Sequence, residues 1–510
     1  MTITITPEGP TLADVIAVAR HGHNVELSES ALDKMRQSRT IIDDIEQQGK
    51  PVYGVSTGFG ALANTLIGES DRARMQKSLV RSHAAGVDDP MDAEVVRAMI
   101  LLRIRSLAKG YSGVRPVIAQ QLADLLNSGI VPWVPRHGSL GASGDLAPLA
   151  HCAMVAMGEG WINHDGKRVD AAAALAEAGI EPVELSAKEG IALINGTDGM
   201  LAMLILAVDD LNHFSTVADV TAALSIEAML GTDRPFAPEL HAIRPQPGQG
   251  KSAANLYKLL QHSAIMDSHR DDFEHAVQDA YSMRCAPQVS GAARDVVDYA
   301  RQVSLHELES IVDNPVVLRD GRVESTGNFH GAPLAYALDF LAIAATDMGS
   351  IAERRVDRLL DATRNRELPA FLTPEPGVNS GLMIAQYTAA GIVAENRRLA
   401  NPASVDSIPT SGMQEDHVSM GWSAGYKLRT VVTNLANLLA VEFLSASRGL
   451  QLRAPLTPSP SGHIAIDIIE EIAGQPGDDL FTAPIIEAVA ERLSDRRFID
   501  DIAAKVGELH

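Results

Sequence analysis

The sequence predicts a mainly α protein built around a long central helical bundle, and three observations carry that expectation. Aromatic residues make up only 4% of the chain, while Ala and Leu dominate its apolar set, which favours close-packed helices over sheets rich in aromatic and β-branched side chains. Beyond about residue 200 the apolar positions repeat with helical spacing over long stretches. Leu428, Val431, Val432, Leu435, Leu438, Leu439 and Phe443 all fall on one such stripe. With 46% hydrophobic and 21% charged residues, usage is ordinary for a globular chain, and 510 residues are enough to bury a large core. A prior of roughly one domain per 150 residues allows about three domains, although long helical folds merge them.

Taken in order, the stretch 50–65 reads as a short extended piece entering a Gly-rich loop. At 91–109 helical periodicity appears, with Val95, Met99, Leu102 and Ile104 keeping company with arginines. Residues 131–151 form a Pro- and Gly-rich loop, in which Asp145 and Pro148 signal a helix start. The apolar run 199–208 is expected to be too short to span a bilayer. Helical periodicity recurs at 333–362 and 381–399, and 454–462 (APLTPSPSG) reads as a linker or surface loop. Helices this long and apolar need cover on several sides, hence a bundle with oligomer contacts. The expected division is an irregular N-terminal region, 1–200, carrying the active-site loops, and a helical-bundle region, 201–510.

Charge and motifs narrow the function. With 65 acidic against 43 basic residues the formal charge is −22, which argues against a nucleic-acid partner. Two cysteines, Cys152 and Cys285, make no disulfide framework, and Cys285 reads as buried and inert despite its neighbour Arg284. The opening MTITITPEGP lacks a signal-peptide pattern, so a cytoplasmic protein with no membrane association is expected. Gly58-Phe59-Gly60-Ala61-Leu62-Ala63 fits a loose dinucleotide pattern but lacks the βαβ context, so no nucleotide is expected. His306-Glu307 begins a zinc motif that fails at Ser310, and no metal site is expected. Gly141-Ala142-Ser143-Gly144-Asp145 departs from the nucleophile elbow at its last position.

That last loop offers different chemistry. If the Gly144 nitrogen attacks the Ala142 carbonyl, a five-membered ring closes, and loss of two waters, one of them carrying the Ser143 hydroxyl, leaves an exocyclic methylidene. Ala is small beside the attacked carbonyl, Ser becomes the methylidene, and Gly gives an unhindered nitrogen and unusual backbone angles. A lone Ala-Ser-Gly says little. The full string Gly138-Ser139-Leu140-Gly141-Ala142-Ser143-Gly144-Asp145-Leu146-Ala147-Pro148-Leu149-Ala150-His151 closely resembles the signature of the histidine and phenylalanine ammonia-lyase family. The resemblance runs in order through Tyr53–Gly60, Ser82–Gly86, this loop, Asn195–Thr197, Gln278–Cys285, Gly327–His330 and Gln414–His417. It implies that family's mostly helical fold, a homotetramer of dihedral symmetry with shared active sites, and the prosthetic group 4-methylideneimidazol-5-one (MIO). The implied reaction is elimination of ammonia from an amino acid, which needs an electrophile for the amine, a base for the β proton and a clamp for the carboxylate.

The resemblance also implies roles. Tyr53 is the general base or its close partner, and Arg284 grips the substrate carboxylate. Asn195 and Gln278 bond the ring carbonyl or the carboxylate, or Asn195 chiefly holds the loop. Tyr281 and Phe329 shape the pocket, with Tyr281 sharing proton traffic and Phe329 otherwise simple packing. Where aromatic-substrate branches carry an apolar or His-Leu pair this chain has Ser82-His83, and where they carry an amide it has Glu415. A carboxylate and an imidazole suit an imidazole substrate, whereas a phenyl ring would leave a buried Glu415 without a partner. L-Histidine is therefore the implied substrate and urocanate the product. The alternatives are an MIO-dependent aminomutase or a lyase for another aromatic amino acid. Asp198 departs from the histidine branch, where Gln is usual, and adds a carboxylate near the site.

Overall fold

The computed structural model describes the chain except residues 49–51, 53, 55, 59, 63–64 and 271–277. Tyr53, the candidate base, therefore lies outside the described residues. The chain divides into two compact units. One comprises Met1–Leu206, Ala300–Asp339 and Pro402–Tyr426, the other Ala207–Tyr299, Phe340–Asn401 and Lys427–His510.

In the first unit a short parallel pair, Thr2–Ile5 with Asn24–Leu27, flanks the helix Leu12–His21. That helix starts in a Thr11/Asp14 capping box and stops at Gly22, whose φ of 64° suits glycine. The 91–109 periodicity becomes the helix Ala93–Ala108, which packs on Leu12–His21 and on Pro116–Asn127. Its arginines are a surprise, because Arg103 and Arg105 are buried together with the apolar stripe.

Three further helices set up the site. Arg72–His83, Leu146–Ala156 and Glu189–Ile194 pack against one another. The first ends at His83, the second begins just after Ala142-Ser143-Gly144, and the third ends at Asn195. One packing event, driven by residues such as Leu79, Leu149, Val155 and Ile194, thereby brings three loop-borne motifs into register. The expected helix start at Asp145 is observed, with Pro148 within the first turn.

Most of the second unit is helical. Asp198–Ala228, Ala332–Leu360 and Gly421–Gln451 contribute most of their length to it. Glu442, fully buried, is held there by Arg355 and by the hydroxyls of Thr221 (2.8 Å) and Ser225 (2.9 Å). This satisfies a charge that would otherwise be costly to bury.

Three expectations are corrected. The 199–208 run belongs to a 31-residue helix, and by length and composition all three long helices could cross a membrane; their most apolar windows are 83%, 61% and 72% buried inside the protein. The stretch 454–462 is not simply a surface loop, because a helix begins at Pro460. Its N-cap Ser459 is buried, with its amide and hydroxyl bonded to Glu227 at 2.6 and 2.9 Å. Cys285 is half-buried rather than buried, whereas Cys152 is buried and its thiol pushed upward by desolvation.

Candidate active site

The loop Ala142-Ser143-Gly144 is held in a conformation that few sequences tolerate. Ser143 has a φ of 51° and Gly144 of 78°, two successive left-handed residues. A β-carbon on Gly144 would lie 2.0 Å from the Gly196 carbonyl oxygen, so only glycine fits. Gly196 accepts the Asp145 amide at 2.7 Å, a bond in which the Gly144 nitrogen takes no part. On the other side, Ser419 donates to the Gly141 carbonyl at 3.3 Å and the Met420 amide donates to Leu140 at 2.8 Å.

Asp145, which sequence reasoning saw only as a helix signal, anchors the loop. Its carboxyl accepts the Gly199 and Met200 amides, each at 2.9 Å, in the first turn of the Asp198–Ala228 helix, and the Ser139 hydroxyl at 3.2 Å. Complete burial pushes this carboxyl up to about 7, and those amide donors and Ser139 only partly offset the shift.

Beneath lies a second buried group of charges. Arg103 donates to the carbonyls of Ala192 (2.9 Å) and Asn195 (2.8 Å) and pairs with Asp198 at 2.9 Å. Thr197 donates to Glu307, whose carboxyl is raised chiefly by burial. Asp198 is thus a structural ion-pair partner below the loop and does not line the cavity. Glu307, read only as part of a failed zinc motif, is another member of this support.

Above the loop opens a cavity of about 1230 Å³, lined by Ala142, Ser143, His83, Asn195, Phe329 and Glu415 among others. His83 donates from Nδ1 to the Leu79 carbonyl at 2.9 Å; burial lowers its pKa, while Leu79 and the charge of Glu415 pull the other way. Glu415 is half-buried and accepts the Thr410 hydroxyl at 2.8 Å. Within one chain Glu415 is therefore neither fully buried nor without a partner. Asn195 donates from Nδ2 to the Asn314 carbonyl at 2.7 Å, and its buried Oδ1 has no partner among the described residues. The atom left open is an acceptor, suited to an ammonium rather than to a carbonyl or carboxylate. The cavity also contains a pair that sequence reasoning did not single out: the rings of His330 and His417 stack at 5.9 Å with 5° between planes. Their only signal was membership of two quoted motifs.

The remaining candidates are elsewhere. Gln278, Tyr281 and Arg284 line a different cavity, in the second unit, with Tyr281 71% exposed. Arg284 lies 4.6 Å over the Tyr281 ring and donates to the Asp279 carbonyl at 3.0 Å.

A helical chain carrying a strained Ala-Ser-Gly loop in the wall of a large cavity has clear relatives. The aromatic amino acid lyase family model matches residues 11–471, and the chain belongs to that family, as an enzyme that breaks a carbon–nitrogen bond in an amino acid. Among curated relatives, a histidine ammonia-lyase from Streptomyces griseus is 55% identical over 512 residues, covering 100% of this chain and 99% of the relative. Among solved structures, a tyrosine aminomutase from Streptomyces globisporus has a TM-score of 0.95 at 38% identity, with 100% of both chains covered. Histidine ammonia-lyase from Trypanosoma cruzi has a TM-score of 0.91 at 37% identity, covering 100% of this chain and 96% of that one. The mostly helical lyase fold expected from the sequence is thus the fold observed.

Proposed function

We propose that the chain eliminates ammonia from L-histidine to give urocanate, using an MIO group closed from Ala142, Ser143 and Gly144. The observation that carries the reading is the shared cavity. It places Ala142 and Ser143 with His83 and Glu415, an imidazole and a carboxylate that can bond both nitrogens of a substrate imidazole. Full-length 55% identity to a histidine ammonia-lyase supports the same substrate.

The loop suits the group. Ser143 and Gly144 hold left-handed angles, Gly196 leaves no room for a side chain at 144, and Asp145 fixes the loop's far end. When formed, MIO supplies an electron-poor carbon that makes the amine a leaving group. Asn195 Oδ1 offers the ammonium an acceptor, and His83 and Glu415 orient the ring. Tyr53 takes the β proton, Phe329 walls the cavity, and Arg284, with Gln278 and Tyr281, holds the carboxylate. Those last three line another cavity, and in this reading they reach the site from neighbouring copies in a homotetramer. The enzyme works in the cytoplasm, with no metal, nucleotide, nucleic acid or membrane partner.

A second reading, an aminomutase that returns ammonia to the β-carbon, is favoured by the fit to tyrosine aminomutase. One set of measurements separates them. Purified protein incubated with L-histidine should accumulate urocanate absorbance with no β-amino acid among the products. Its intact mass should be two waters below the sequence mass, and Ser143→Ala should restore the full mass and abolish turnover. An active Ser143→Ala variant refutes the electrophile; a β-amino acid product establishes the mutase.

A further inference from the structure

The cavity of about 310 Å³ in the second unit is lined by four arginines, Arg284, Arg358, Arg364 and Arg366, in a chain whose net charge is −22. Two of them are engaged. Arg364 pairs with Asp357 at 2.9 Å and Asp361 at 2.6 Å, and Arg284 lies over Tyr281. Arg358 and Arg366 make no ion pair among the described residues. Among the described residues the only carboxylate in the lining, Asp279, accepts the Thr232 amide at 2.8 Å. Arg366 is also held by an uncommon backbone, since it and Glu367 have φ of 56° and 66°. Half-buried guanidinium groups of like charge around one cavity repel unless an anion joins them.

We propose that Arg358 and Arg366 complete, with Arg284, a carboxylate-binding site whose charge captures the anionic end of substrate and product. The inference rests on the reading of Arg284 as the carboxylate clamp and adds two residues to it. Histidine enters as a zwitterion with no net charge on its amino acid moiety, whereas the arylpropenoate product is a net anion. Three guanidinium groups therefore hold product more strongly than one would, and release is the step they slow.

The test uses the assembled enzyme with Arg358→Gln, Arg366→Gln and the two lysine variants, and the probes urocanate and cinnamate, titrated by calorimetry at low and high salt. Each Gln variant should weaken both carboxylates by about tenfold, the scale of one charge-assisted hydrogen bond, and each Lys variant should restore most of that loss. Wild-type binding should weaken with salt, and that dependence should flatten in the Gln variants. Equal binding by wild type and Gln variants, or no binding of either probe to wild type, overturns the site. If cinnamate alone binds and responds to the variants, the anion site stands and histidine is the wrong substrate. The kinetic counterpart is a KM raised about tenfold by Arg358→Gln with kcat held or increased; a fall in kcat alone overturns the proposal.

Discussion

His151 shows how a single residue outside the reacting group governs the site. Its Nε2 accepts the Gly86 amide at 3.1 Å, fixing the turn that follows His83, and a β-carbon on Gly86 would lie only 3.0 Å from that nitrogen. Burial, reinforced by Arg168, lowers this imidazole from 6.5 to about 4. Between those values the unfolded chain binds the proton that the folded chain refuses, so stability rises with pH across the window and is lost as pH falls through it. With its partial exposure discounted, the contribution is about 1–2 kcal/mol. Thermal unfolding followed from pH 4 to 6.5 should show this slope, and His151→Gln, which keeps an acceptor but does not titrate, should flatten it. An identical slope in the variant would assign the effect to other groups. Residue-scale legibility followed covalent chemistry: the proposed closure of Ala142-Ser143-Gly144 could be argued from sequence because it involves only sequence neighbours. Asp145, Asn195 Oδ1 and the His330–His417 stack could not, because their meaning depends on partners far along the chain.

At the scale of elements, the junction between Glu189–Ile194 and Asp198–Ala228 is held by two buried guanidinium groups, with Arg103 in direct contact and Arg105 3.9 Å from Asp198. Arg103 closes the carbonyl end of the first helix and pairs with Asp198, the first residue of the second. Removing one member of a buried pair costs about 3–5 kcal/mol, because the other charge is stranded. Asp198→Asn should therefore lower stability in urea titration by that order. The double variant Arg103→Met with Asp198→Leu should recover only part of the loss, because the buried Arg105, 3.9 Å from Asp198, also loses a counter-charge. A single variant as stable as wild type would show that water already screens the pair. Helices were legible because periodicity is local, as at Ala93–Ala108 and Gly421–Gln451. The helix at Pro460 was missed although Ser459-Pro460 is a cap followed by a first-turn proline, since a Pro-rich run obscured it. Buried arginines were not legible, because periodicity marks the apolar face and not which cation crosses it.

For the whole molecule, the apolar faces left open set the expectation. Tyr336, Phe340 and Ile343 form a helical stripe on Ala332–Leu360 and are 48%, 47% and 45% exposed; Ile384 and Tyr387, on Met383–Leu399, are 62% and 68% exposed. Such stripes are association surfaces. Sedimentation should give a homotetramer, and Phe340→Asp should shift it to smaller species with loss of turnover. A fully active monomer would contradict shared active sites. The oligomer was expected from helices too apolar for one chain to cover, and the stripe now says where cover is needed. The contacts around residue 144 also impose an order in time. Gly196 and Met200 leave the ribosome some fifty residues after the loop, and Ser419 and Met420 far later still. A nascent or misfolded chain therefore lacks the mould that bends Ser143 and Gly144, and its backbone stays ordinary peptide. If the loop closes as proposed, reactivity is reserved for molecules that have finished folding, and a mass deficit of two waters would be a permanent record that a given chain once did.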